Sequence, residues 1–288
     1  MKMKRLSKLL AVSLATVTIL GACGNNETAS KNSETKGANI TKVKVAYAIG
    51  GKPMTYQDEN GKPAGYDVDA MKLVDEKLKN YEFEFVGTTD DDLLIGVEQG
   101  KYDVGIKNAF FTEERTEKYI FPKQFLGLSS AGLLLKKENK NIKNLQDFAS
   151  AGMSLAPIAA NNAQYTVIAE YNEANPDNKV KLVAGEEFNV DVVQWVNEGR
   201  ADGGISIEAA FNAQVKNEDG PYHNLVDEVV YNEFAVIKTW PLFNKKQQEF
   251  ADAYDEAMAE IQKTDALSKL MIKYYNKDLF QVLDTVKR

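Results

Sequence analysis

Histidine and cysteine occur once each in the 288 residues, at His223 and Cys23, and arginine only at positions 5, 115, 200 and 288. A lone histidine excludes His-cluster zinc sites. A Cys-His or Ser-His nucleophile pair would depend on His223, which sits in the turn-like stretch Gly-Pro-Tyr-His-Asn. A lone cysteine excludes an intramolecular disulfide. No P-loop or GxGxxG is present, since Gly203-Gly204 runs into Ile205. Positive charge is also in deficit, with a net of -7, which argues against nucleic acid or an anionic membrane surface as partner. Carboxylates are plentiful, and acid/base catalysis needs only two, so composition leaves that chemistry open.

The one long apolar run is N-terminal. Lys2, Lys4, Arg5 and Lys8 precede Leu9 to Leu20, which is short for a bilayer span, and Leu20-Gly21-Ala22-Cys23 resembles a bacterial lipoprotein cleavage box. Residues 1–22 are therefore expected to be a signal peptide, with Cys23 acylated. Gly24 to Asn39 carries little to bury, so residues 23–41 are expected to form a disordered tether. Loss of the leader removes four positive charges and takes the net from -7 to -11.

The rest alternates strand and helix. Lys42–Ala48 reads as a strand, and Met54–Gln57 and Gly65–Asp67 flank an Asn60-Gly61 hairpin turn. Val68–Asn80 reads as a helix and Tyr81–Val86 as a strand. Asp58, Glu59, Asp67 and Asp69 lack calcium-loop spacing and fit turns and helix starts better. An internal repeat follows: LIGVEQGKYDVGI from Leu94 and VQWVNEGRADGGI from Val193 share a helix, a terminal Gly, a basic residue and an Asp before an apolar strand. Each copy follows an acidic turn, Asp90–Asp92 or Glu186–Asn189. Two similar βα lobes account for this pattern. Met153–Ile158 reads as a strand in the second half, and Lys245–Gln262 and Ala266–Tyr275 as amphipathic helices that cover a core.

Within Asn108–Tyr119, NAFFTEERTEKY, a strand over 102–107 leads through Asn108 and Phe110 to Thr112, a good N-cap, and then to Arg115 just inside a helix. Where lysine does nearly all the basic work, an arginine at such a turn suits bidentate capture of a carboxylate; the competing reading is a surface ion pair with Glu113 or Glu117. The run TEERTEKYIFPKQF resembles the Thr-x-x-Arg segment of the extracytoplasmic solute-binding proteins that feed polar amino acids to ABC importers. GKPMTYQDENGKPAGYDVDAMKLV is similar to that family's N-terminal signature, and the similarity runs from about Val43 to Leu279.

The resemblance implies a two-lobed type II periplasmic-binding-protein-like fold with a cleft between two Rossmann-like lobes: residues 42–128 with 233–288, and residues 129–232. It further implies hinges near 125–129 and 232–236, a monomer, an ABC permease partner and no cofactor. Arg115 takes the ligand carboxylate together with Asn161 and Asn162, at the family's Gly-Thr-Thr turn. Two family features are missing. The stacking aromatics are replaced by Gly51 and Asp90, and the amine-binding aspartate by Ile207, with Glu208 beside it. Asp90, Asp91 or Glu208 is left to receive an ammonium, or the ligand lacks an ordinary α-amino head. The expected ligand is an amino acid or derivative, cystine-like or glutathione-like among the options. The competing readings are an enzyme resembling cyclohexadienyl dehydratases and a surface sensor or adhesin.

Overall fold

The computed structural model describes residues 40–160, 162–185 and 190–281. Thr41–Ala48 is the strand expected near the start, and its Val45–Ala48 half is buried because both faces are covered, Val45 and Tyr47 by one apolar cluster and Ala46 and Ala48 by another. It lies parallel to Tyr81–Thr88 on one side and to Val104–Ala109 on the other. A parallel strand covered on both faces has no solvent side to alternate toward, so an apolar run is what fits.

The hairpin forms with Asn60-Gly61 at its tip, between Thr55–Gln57 and Pro63–Ala64, and the Asp58 carboxylate accepts from the Asn60 and Lys62 N–H groups. Gly65–Asp67, expected to extend the hairpin, instead starts the helix Tyr66–Lys77. The cause is Gly65, whose φ of 118° turns the chain so that the Tyr66 and Asp67 N–H groups reach the Pro53 and Met54 carbonyls.

The repeat is real in three dimensions. Asp90–Gln99 ends at Gly100 in the left-handed region, and Val192–Asn197 is followed by Gly199 with φ 70°. Asp103 accepts the backbone N–H of Lys44 at 2.7 Å, and Asp202 accepts that of Ser154 at 2.7 Å. In each copy the aspartate thus pins the strand or bridge beside it, which explains why the repeat retains an acid there. The acidic turn at Glu186–Asn189 lies outside the described residues.

Two long strands join the halves. Gly127–Lys136 and Val229–Asn244 are antiparallel from Lys136↔Val229 to Gly127↔Thr239, with a register shift between Glu233 and Ala235. The full order is Gly203–Ile207, Gly127–Lys136, Val229–Asn244, Val104–Ala109, Thr41–Ala48, Tyr81–Thr88. Met153–Ile158, expected as a strand, pairs only through the bridges Ser154↔Lys181 and Leu155↔Gly203 before a short strand, Ile158–Ala159. Separate apolar cores sit along these joining strands: Leu126, Leu128 and Val236 belong to one, and Ala131, Leu133, Phe234 and Ala235 to the other. Gln248–Ile261 and Ala266–Tyr275 cover the first core. There the fully buried Phe243 ring meets Phe250 at 5.1 Å and Tyr254 at 5.4 Å. A buried aromatic of this kind is worth about 3–5 kcal/mol on truncation.

Candidate functional site

The strand Val104–Ala109 delivers the chain to the turn that carries Arg115. Asn108 adopts φ 54°, a left-handed conformation that asparagine tolerates better than most residues, and is buried. Its backbone N–H donates to Asp67 Oδ2 at 2.7 Å. Thr112 is the N-cap of Glu113–Lys118, its hydroxyl accepting the Arg115 N–H at 3.2 Å. Arg115 Nη1 donates to the Phe110 carbonyl at 2.7 Å, so the guanidinium folds back onto the turn that precedes its own helix.

Neither Glu113 nor Glu117 forms an ion pair with Arg115, and no carboxylate of the described residues does. The guanidinium is half-buried, and desolvation pulls its pKa below the usual arginine value. The Glu114 carboxylate acts in the opposite sense from beyond ion-pair distance, so a partly desolvated cation without a direct ion pair among the described residues can still favour an anion. Behind the turn, Phe111, Phe121 and Trp240 pack edge to face, with ring centres 5.1 to 6.2 Å apart. Phe111 also lines a cavity with Thr112, Ala160, Thr166 and Glu170, so the turn lies close to the Ala163–Ala174 helix of the second half.

In the second half a cavity of about 340 Å³ is lined by Asn162, Gln164, Asp191, Ser206, Ile207 and Gln214 among others. Asn162 is buried and caps the Ala163–Ala174 helix, its side-chain oxygen accepting the Gln164 N–H at 3.0 Å. Asn161 lies outside the described residues. Ile207 ends the strand Gly203–Ile207 and turns its apolar side chain into the cavity wall.

Glu208 does not line this cavity. Its carboxylate lies 4.0 Å from Lys277, which pairs with Glu233 at 2.7 Å. Glu208 opens a helix, so its side chain leaves the chain at a different angle from that of Ile207, toward the cation. Of the two neighbours, Ile207 lines the cavity while Glu208 stands outside it with a lysine near by.

Asp90 starts the Asp90–Gln99 helix, and its Oδ1 lies 3.0 Å from Lys107 Nζ, with Lys107 16% exposed and Asp90 60% exposed. Asp91 is exposed in the same turn. Sequence reading missed Lys107, although a lysine inside an apolar strand, VGIKNA, was a signal to look for its counter-charge. Gln164, Asp191, Ser206 and Gln214 were also missed, because helix starts and strand ends meet there only after folding.

A family model for bacterial extracellular solute-binding proteins, family 3, matches residues 43–277. The chain belongs to that family. Among similar curated proteins, the L-cystine-binding protein TcyK of Bacillus subtilis (strain 168) is 27% identical over 279 residues, covering 96% of this chain and 98% of TcyK. The probable amino-acid-binding protein YxeM of the same organism is 28% identical over 284 residues, covering 97% of this chain and 98% of YxeM. Among solved structures, the probable amino-acid ABC transporter extracellular-binding protein ytmK of Bacillus subtilis superposes with a TM-score of 0.64 at 23% identity. It covers 83% of this chain and 99% of that one. The fold is thus the two-lobed type II periplasmic-binding-protein fold, an α/β architecture with a mixed sheet. No helix of the described residues is long and apolar enough to cross a membrane.

Proposed function

We propose that this chain is the substrate receptor of an ABC importer, and that it captures an amino acid of the cystine type between its lobes. The observation that carries the reading is Arg115, half-buried and without a carboxylate partner among the described residues. The lobes divide as residues 42–128 with 233–288 and residues 129–232. Arg115 takes the α-carboxylate, with Asn162 and the N-terminus of its helix completing the anion site from the other lobe. Similarity to TcyK over nearly the whole chain supports the ligand class. Closure is a hinge motion over the joining strands, and the closed form alone presents both rims to a permease in fixed register. Mass spectrometry of the compound released from purified, denatured protein tests the reading. An amino acid recovered unchanged supports it, whereas a compound without an α-carboxylate, or a reaction product, counts against it.

Asp90 receives the ligand's ammonium through its second oxygen while Lys107 keeps the first. The carboxylate is largely exposed, so the contribution is modest, about 1 kcal/mol. Asp90→Asn is expected to weaken L-cystine roughly fivefold and a des-amino analogue less than about twofold, by calorimetry. Equal losses for the two compounds would reduce Asp90 to a helix-start residue.

Cys23 carries the lipid that holds the protein at the membrane, supported by the basic leader and the Leu-Gly-Ala-Cys run. Cys23→Ser is expected to move the protein from the membrane pellet to the medium with unchanged affinity for L-cystine. A mutant still retained in the pellet would mean another anchor.

A further inference from the structure

Asp67 is a carboxylate whose place in the core calls for a reason. It is 1% exposed in the first turn of the Tyr66–Lys77 helix, and no cation of the described residues pairs with it. The titratable groups that face it are Tyr66 alongside, Tyr254 from Gln248–Ile261 and Tyr275 from Ala266–Tyr275, with Asp278 beyond Tyr66. None supplies positive charge, and burial pushes the Asp67 carboxyl up to about 7. The buried hydroxyls of Tyr254 and Tyr275 have no hydrogen-bond partner among the described residues. A carboxylate in such surroundings is costly to keep ionised, even with the helix dipole in its favour.

One contact accounts for it. The Asn108 N–H reaches Asp67 Oδ2 at 2.7 Å across 41 residues of chain. Asn108 is the residue with φ 54° at which the strand turns, and two residues on, the Phe110 carbonyl holds the Arg115 guanidinium. We propose that Asp67 is a positioning residue for the anion site: its carboxylate fixes the left-handed turn at Asn108, and through it the Phe110 carbonyl against which Arg115 is set. This rests on the reading of Arg115 as the carboxylate-holding group. Asp67 itself is buried beneath the turn and acts only through Arg115.

A residue kept for packing and one kept for positioning respond oppositely to Asp67→Asn. Burial pushes the folded carboxyl up to about 7, well above its ordinary value of 3.8, so the folded state favours the protonated form. The charge therefore costs stability most fully above pH 7, and the cost fades as pH falls below it. Asparagine has no charge to bury and keeps an oxygen that can accept the Asn108 N–H.

The test compares wild type, Asp67→Asn and Asp67→Ala at pH 8 by three measurements: thermal melting, calorimetric titration with L-cystine, and amide exchange of Asn108 through Arg115 in the unliganded protein. Asp67→Asn is expected to melt several degrees above wild type, with the gain narrowing toward pH 5, yet to bind L-cystine several-fold more weakly. Asp67→Ala is expected to bind about 30-fold more weakly, with faster exchange at those amides. In an Arg115→Lys background the Asp67→Ala loss is expected to shrink to about threefold or less, because the guanidinium that the turn positions is gone. Wild-type affinity and wild-type exchange in both Asp67 variants would overturn the proposal, as would the same 30-fold loss in the Arg115→Lys background. If Arg115→Ala binds normally, or wild type binds no L-cystine, the reading of the site fails instead. Amide exchange alone then decides the positioning, and unchanged rates reject it.

Discussion

Replacing Arg115 by alanine is expected to cost on the order of 3 to 5 kcal/mol of amino-acid binding, with little change in the melting temperature of the unliganded protein. The two halves of that expectation come from the same geometry. In the free protein the side chain makes one hydrogen bond, to the Phe110 carbonyl, and no ion pair among the described residues, so the fold loses little when it goes. On the proposed reading the guanidinium would supply both the charge and the paired N–H donors for a carboxylate removed from water, so its loss would remove most of the binding. Arg115→Lys is expected to fall between wild type and alanine, because an ammonium keeps the charge without the planar fork. Calorimetric titration with L-cystine, or with the compound released from the purified protein, reads all three. Wild-type affinity in Arg115→Ala would remove this residue from the site.

Gly65→Ala is expected to destabilise the fold by about 3 kcal/mol or more, lowering the melting temperature by roughly 10 °C. Gly65 has φ 118°, and a Cβ there would stand 2.2 Å from the Met54 carbonyl oxygen and 2.9 Å from the Thr55 nitrogen. Both are backbone atoms, so neither can swing aside as a side chain would. Gly61, with φ 74° and open space around it, is the control: alanine there meets only the left-handed backbone cost, about 1 kcal/mol. Equal melting of the two variants would mean that the hairpin gives way easily at Gly65. The position also bears on function, since Gly65 seats the helix whose first turn carries Asp67. Thermal melts followed by circular dichroism decide it.

Much of the architecture was legible where the signal is local. Thr112 was readable as an N-cap because a hydroxyl three residues before an amide satisfies a bond that no distant residue is needed to complete. The repeat was legible for a similar reason: helix, terminal glycine and strand-entering aspartate recur as one unit, and the unit builds the same local structure twice. The C-terminal helices were legible from their apolar stripe. By contrast, no local signal marks the full length of the strand Val229–Asn244, whose ends are held by pairing with Gly127–Lys136 and Val104–Ala109, segments far away in the chain.

The sequence by itself determined the residue types at the site: an arginine behind a capping threonine, asparagines at a helix start, and an apolar residue where relatives of the resembled family carry an acid. The first two follow from short-range pattern, and the third is what the resemblance implied. The tertiary structure alone decided which charges meet a partner within the fold. Asp90 pairs with Lys107, Glu208 lies 4.0 Å from Lys277, and Arg115 has no ion pair among the described residues. It also decided that Asp67, one acid among many in the sequence, is buried under the Asn108 turn. The physical reason is common to all four. The state of a charge depends on the partners and the dielectric within a few ångströms of it, and those are set by which distant segments the fold brings together.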